Sequence, residues 1–170
     1  KNLKKYKNIF VEKNDFIPVF FDGGQIIFFD EENYVSAIRD VNFDLKLVQD
    51  SIDAVLKGKF LNDNIYFNLS NRKINDKETT DIIVKMSNSN FLTKANLIHS
   101  EKDKNFINGN ILLKKDKNKI TAFFKYKDKD KEFVINKSNV RNTFLDGEMV
   151  GVIRFIPYFD FDLDLNLNSI

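Results

Sequence analysis

The chain of 170 residues carries 27 basic and 25 acidic side chains, 18 Phe, one His and neither Cys nor Trp. That length buries roughly 70% of the unfolded surface in one core, so disulfide or metal staples are not needed, and the absence of Cys excludes thiolate nucleophiles, disulfides and Cys-ligated zinc. A net charge of +2 with four Arg argues against a nucleic-acid track, and a single His argues against His-based metal centres and most catalytic triads.

Residues 1–15 (KNLKKYKNIFVEKND) are basic and weakly patterned, which suits a short helix or a frayed end. The chain opens on Lys1, with neither the short apolar core of a signal peptide nor an apolar run long enough to span a membrane as a helix. We therefore expect a segment of a longer protein, with any membrane anchor upstream and residues 16–170 forming one β module. Asp22-Gly23-Gly24 predicts a hairpin turn. It is not a phosphate loop, because the strand-forming Gln25 to Phe29 follows where anion capture needs a helix N-terminus.

Beyond this point the dominant signal is alternation. Val41, Phe43, Leu45 and Leu47 share one face, with Asn42, Asp44 and Lys46 on the other, as in a half-buried strand. The segment from Val48 to Leu56 also fits a helical stripe, but Ile52, Ala54 and Leu56 alternate, and we read it as strand. Ile65, Phe67 and Leu69 repeat the pattern, with Tyr66 and Asn68 facing away. Residues 120–126 (ITAFFKY) and 132–140 (EFVINKSNV) read as a hairpin. The last segment sets Phe159, Phe161, Leu163, Leu165 and Leu167 against Asp160, Asp162, Asp164, Asn166 and Asn168. Polar turns at Asn62-Asp63-Asn64, Lys115 to Lys119 and Lys127 to Lys131 separate these runs, which predicts a consecutive antiparallel meander. The fold class is all-β.

Three segments share a second pattern, apolar, polar, Gly, polar, apolar, centred on Gly58, Gly109 and Gly147. A glycine on a strand's inward face permits a bulge, a sharp coil or close approach of a neighbouring backbone, so these positions predict a strongly curled sheet with an apolar inner face.

Candidate chemistry is thin. Asp160, Asp162 and Asp164 form a straight row that does not converge as calcium or magnesium ligands must, and they read as a solvated outer face. His99 in Leu97-Ile98-His99-Ser100-Glu101 has no nucleophile elbow or oxyanion loop beside it, and reads as a surface histidine at a strand end. The Lys-rich runs at 114–119 and 125–131 read as solvated turns. No catalytic residue, metal site or cofactor is assigned.

The aromatic load stands out: Phe16, Phe20, Phe21, Phe28, Phe29, Phe123, Phe124, Phe155, Phe159 and Phe161 are assigned to the apolar faces. Two arrangements accommodate it. A second sheet could cover these faces in a sandwich, or one curled layer could leave them as an open trough, where contiguous apolar surface marks a ligand or membrane site.

Residues 106–170 resemble the AsmA-like family of bacterial envelope proteins. The resemblance is carried by Ile107-x-Gly109-x-Ile111 opening a strand pair, Phe133 to Ser138, the Leu145-x-Gly147-x-Met149-x-Gly151 unit, and Pro157-Tyr158-Phe159 leading into the alternating last strand. Residues 16–104 fit the same style more loosely, through Gly23-Gly24-Gln25-Ile26 and Leu56-x-Gly58-x-Phe60. The resemblance implies a periplasmic β-sheet, anchored to the inner membrane through a segment outside this sequence, whose hydrophobic groove carries phospholipid between membranes and is linked to outer-membrane assembly. It implies no catalytic residues.

The expected ligand is thus a phospholipid or other acyl chain, and nucleic acid is not expected. The expected groove wall is Val41, Phe43, Leu45, Leu47, Ile65, Phe67, Leu69, Phe159, Phe161, Leu163, Leu165 and Leu167, with Gly58, Gly109 and Gly147 as the curling points. The competing readings are an outer-membrane β-barrel and a lipocalin-like or other β-sandwich binding module.

Overall fold

A computed structural model describes residues 17–48, 50–74, 77–100, 103–154 and 158–169. The basic segment at 1–15, Phe16 and Phe155 lie outside the described residues.

The described residues form eleven strands: β1 (Ile17–Asp30), β2 (Asn33–Val48), β3 (Ser51–Phe60), β4 (Asp63–Ile74), β5 (Lys77–Met86), β6 (Phe91–Ser100), β7 (Asp103–Lys115), β8 (Asn118–Lys127), β9 (Glu132–Arg141), β10 (Asp146–Arg154) and β11 (Asp160–Ser169). They make one antiparallel sheet whose spatial order is the chain order. Each strand contacts only its sequence neighbours, so among the described residues no second layer covers either face and β1 does not meet β11. The sheet is neither a sandwich nor a closed barrel.

The meander follows from the turn chemistry. Leu61 and Asn62 both take positive φ, 48° and 63°, the mirror-image turn whose twist matches a hairpin. Asp116 (φ 52°) opens the β7–β8 turn and Lys131 (φ 53°) closes the β8–β9 turn, so the hairpin expected at 120–126 and 132–140 is present. The turn expected at Asn62-Asp63-Asn64 sits one residue earlier, because Asp63 already pairs with Phe60. Its buried carboxylate accepts hydrogen bonds from the Asn88 N–H (2.7 Å), the Ser89 N–H (2.9 Å) and the Ser89 hydroxyl (2.7 Å), which tie down the β5–β6 turn.

The expected turn at Asp22-Gly23-Gly24 is corrected. These residues lie inside β1, and the chain reverses at Glu31 and Glu32 instead. What the glycines supply is a bulge: register shifts flank Gly24, Gly23 takes φ 72°, and the Phe21 ring covers Gly24 where a side chain would stand. Gly-Gly is as good a bulge former as a turn former, and the fourteen-residue strand needs the former. A second bulge in β2 places Asp40 at φ 51° and brings Val41 over Gly58. Val41 is 1% exposed, the deepest side chain in a sheet with few fully buried residues.

Candidate functional site: an uncovered apolar face

Cross-strand register assigns every strand residue to a face, because directly opposed side chains project to the same side. Phe43, Leu45 and Leu47 on β2 oppose Leu56, Ala54 and Ile52 on β3, which in turn oppose Phe67, Leu69 and Asn71 on β4. At the far end Phe161, Leu163, Leu165 and Leu167 on β11 oppose Ile153, Gly151, Met149 and Gly147 on β10. Tracing the register through β5 to β9 joins the two groups: the row begun by Leu69 continues through Ile82, Ala95, Ile111 and Ala122 to Ser138. Val41 and Ile65 belong to this face beside Gly58. Phe159 lies just ahead of β11, its ring centroid 5.9 Å from that of Phe161.

Sequence reasoning named the wall at its two ends and missed its middle. Ile82, Val84, Leu97, Ile111, Leu113 and Ile135 occupy the same face. Their strands mix apolar residues onto both sides, as in Asp81-Ile82-Ile83-Val84, which blurs the alternation that marked β2 and β11. Tracing the register rather than the hydropathy would have found them.

The aromatic assignment is also corrected. Phe20 opposes Asp44, and Phe123 opposes Asn110 and Lys137, so both stand on the polar face. Phe21, Phe124 and Phe161 do lie on the apolar side. Of the wall residues on the edge strand, Phe161 is 59% exposed, Leu165 50% and Leu167 47%, since nothing among the described residues packs over them.

The three glycines act through the space they leave. At Gly58 a Cβ would meet Ile38 at 2.8 Å and the Arg39 carbonyl oxygen at 2.9 Å, so the β2 bulge needs this position empty. At Gly109 the space is taken by the Phe124 ring, and at Gly147 by the Asn166 carbonyl oxygen at 2.6 Å. The register is regular on both sides of Gly109 and on the β4 side of Gly58, whereas on its β2 side Gly58 faces the bulge of the neighbouring strand. Gly151 is the more demanding: its φ is 142°, and a Cβ would press on the Asp162 carbonyl oxygen and the Leu163 Cα. Between Gly147 and Gly151 the β9–β10 register shifts, and the buried Ser138 hydroxyl bridges the gap, donating to the Met149 carbonyl (2.6 Å) and accepting from the Met149 N–H (2.8 Å).

The opposite face is wet and charged. Glu132 accepts from Arg154 Nε (2.8 Å) and Lys127 Nζ (3.1 Å), and Arg154 also donates to Asp160 (3.2 Å), which ties β8 through β11 together. Arg154 first, then Lys127, holds the Glu132 carboxyl below the usual carboxylate range. Asp160, Asp162 and Asp164 stand on this face opposite Arg154, Val152 and Val150.

The apolar face has a cluster of polar residues at one rim, across β4 to β6. His99, expected as a surface histidine at a strand end, stands near the end of β6, where it opposes Ile107 and Glu78 on the apolar side and is half-buried. Beside it the Asn71 amide donates to Glu78 Oε1 (3.0 Å) and to Thr80 Oγ1 (2.8 Å). Among the described residues no group of three or more His, Asp or Glu is placed to hold a metal ion. Compared with family models, curated proteins and solved structures, the chain matches none of them.

Proposed function

We propose that this chain is the groove-forming module of an AsmA-like envelope protein, whose apolar face holds phospholipid acyl chains as they pass between the inner and outer membranes. The observation that carries the reading is the apolar face running across eleven strands with no second layer over it among the described residues. Contiguous apolar surface of that extent on one side of a sheet is rare unless something apolar lies on it. The resemblance of residues 106–170 to the AsmA-like family supplies the rest: a periplasmic setting, an inner-membrane anchor beyond this sequence, and a contribution to outer-membrane assembly.

The mechanism is passive. Each methylene laid on the wall contributes about 0.8 kcal/mol, and the attraction is non-directional, so a chain slides along the wall without a deep resting point. Charged head groups stay in water at the strand ends.

Organic extraction of the purified protein followed by mass spectrometry tests the reading. Co-purifying acyl lipid is expected, with loss of most of it in the Phe161→Asp, Leu163→Asp double variant. A protein that comes out empty, and that takes up no acyl chain when offered one, refutes it.

A further inference from the structure

The polar cluster at the rim of the apolar face is confined and built. In the row that runs Leu47, Ile52, Asn71, Thr80, Leu97, the two polar residues sit between apolar ones on both sides. One row nearer the strand ends, Glu78 and His99 are followed by Ile107, Tyr126, Phe133, Ile153 and Phe161, so from β7 onward the apolar surface reaches the rim. It steps back by two rows at β4 and β5 and by one at β6. Glu78, Thr80, Leu97, His99 and Ile107 line a recess of about 200 Å³ there, polar at the rim and apolar on its inner side.

The polar members are held rather than loose. Asn71 donates one amide to both Glu78 and Thr80, which fixes the carboxylate and leaves the Thr80 hydroxyl hydrogen to donate elsewhere. Lys73 stands opposite Glu78 in register, so a cation already neighbours the carboxylate, which would itself repel an anion. A charged head therefore gains little from it. A hydroxyl can donate to the Glu78 carboxylate and accept from Thr80 or His99, and hydrogen bonds to an ionised acceptor are the stronger kind.

We propose that this recess is a head-group subsite for an acyl ligand bearing free hydroxyls, of the glycerol type, with its chain laid past Leu97 and Ile107 onto the apolar face. The proposal rests on the acyl-binding reading above and adds to it a chemical class and a polarity: the hydroxylated end lies at the β4–β6 rim. The hydroxyls could belong to an uncharged acylglycerol or to a glycerol-headed phospholipid.

Displacement of a fluorescent acyl probe from the full chain, below the micellar range, distinguishes these cases with three competitors: methyl oleate, 1-oleoylglycerol and 1-oleoyl-lysophosphatidylglycerol. The hydroxyl-bearing ligands are expected to bind about three- to tenfold tighter than methyl oleate, the increment of a charge-assisted hydrogen bond at a half-exposed site. The stronger of the two identifies the source of the hydroxyls. That preference should vanish in both Glu78→Leu and Thr80→Val, with methyl oleate affinity unchanged as the check that each variant is folded. Equal binding of all three competitors to the wild type, or a preference that survives both substitutions, overturns the subsite while leaving the apolar wall standing. Failure of every competitor, and of the acyl probe itself, overturns both.

Discussion

Replacing Gly151 by Ala should detach the last strand without unfolding the rest. Gly151 lies at φ 142°, a conformation that costs an L-residue about 1–3 kcal/mol. Its added Cβ would sit 2.9 Å from the Leu163 Cα and closer still to the Asp162 carbonyl oxygen. Both are backbone atoms of β11, which no rotamer change can move aside. Overpacking of this kind adds about 1–3 kcal/mol, and we take roughly 3 kcal/mol as the combined effect. β11 is an edge strand paired only to β10, so it relieves the strain by leaving. Hydrogen exchange reports this directly: amide protection in residues 160–169 should fall on the order of 100-fold, since 1.4 kcal/mol is a factor of ten. Protection in β3 to β6 should stay as it was. Gly109→Ala is the matched control, because the atoms nearest its Cβ belong to the ring of Phe124, which can swing away, and it should cost less than about 1 kcal/mol. Protection in β11 within threefold of wild type, or equal effects of the two substitutions, would refute the assignment of backbone contact as the decisive term.

Ser138→Ala should destabilise by about 1–3 kcal/mol in chemical denaturation, because it leaves the Met149 N–H and carbonyl without their partner in a buried gap; a shift below about 0.3 kcal/mol would mean water takes its place. Replacing Leu61-Asn62 by Asn-Gly should stabilise by about 1 kcal/mol, since the exposed Leu61 holds a left-handed conformation that asparagine tolerates better; thermal melts check it. The β5–β6 turn should loosen in acid. Burial raises the Asp63 pKa, but the Ser89 hydroxyl and the N–H groups of Asn88, Ser89 and Asn64 outweigh it and hold the carboxyl below its usual range. A folded pKa below the unfolded one gives stability that is present above the unfolded value and lost as pH falls through the folded one. Protection of Ser87 to Asn90 from hydrogen exchange, taken relative to the intrinsic rate, should therefore fall as pH drops below about 4, and Asp63→Ala should show the loosened turn already at neutral pH. The Glu132–Arg154–Asp160 bridge should contribute less in 1 M salt, where screening acts within about 3 Å; Glu132→Gln should then approach the wild type in stability.

The fold was legible because the sequence writes its strands in two letters. Residues 41–47 and 159–168 alternate so strictly that only a strand with one wet face can hold them, and the Lys-Asp turns left a meander as the simplest connection. The same rule failed where a strand adds a residue. Asp22-Gly23-Gly24 has the composition of a turn, and whether it reverses the chain or merely bulges depends on the partner strand, here one long enough to pair through Ile17. Alternation also misplaced Phe20 and Phe123, each of which has a second aromatic as its neighbour: one of two adjacent residues must face the polar side, and hydropathy does not say which. His99 and Glu78 are twenty-one positions apart, and nothing local to either announces that register sets them side by side.

That each strand touches only the two beside it has a bearing on how such a chain can change length. Removing or inserting one complete hairpin, two strands and their turns, restores both the direction of the chain and the side on which every later residue projects, so the surviving neighbours can pair as before. A single strand added or lost would reverse the direction of everything downstream and turn its apolar side onto the opposite face of the sheet. The natural unit of growth in this architecture is therefore the hairpin, and the reach of the apolar surface becomes a quantity that gene duplication can adjust in steps of about 10 Å, two interstrand spacings, without redesigning a core.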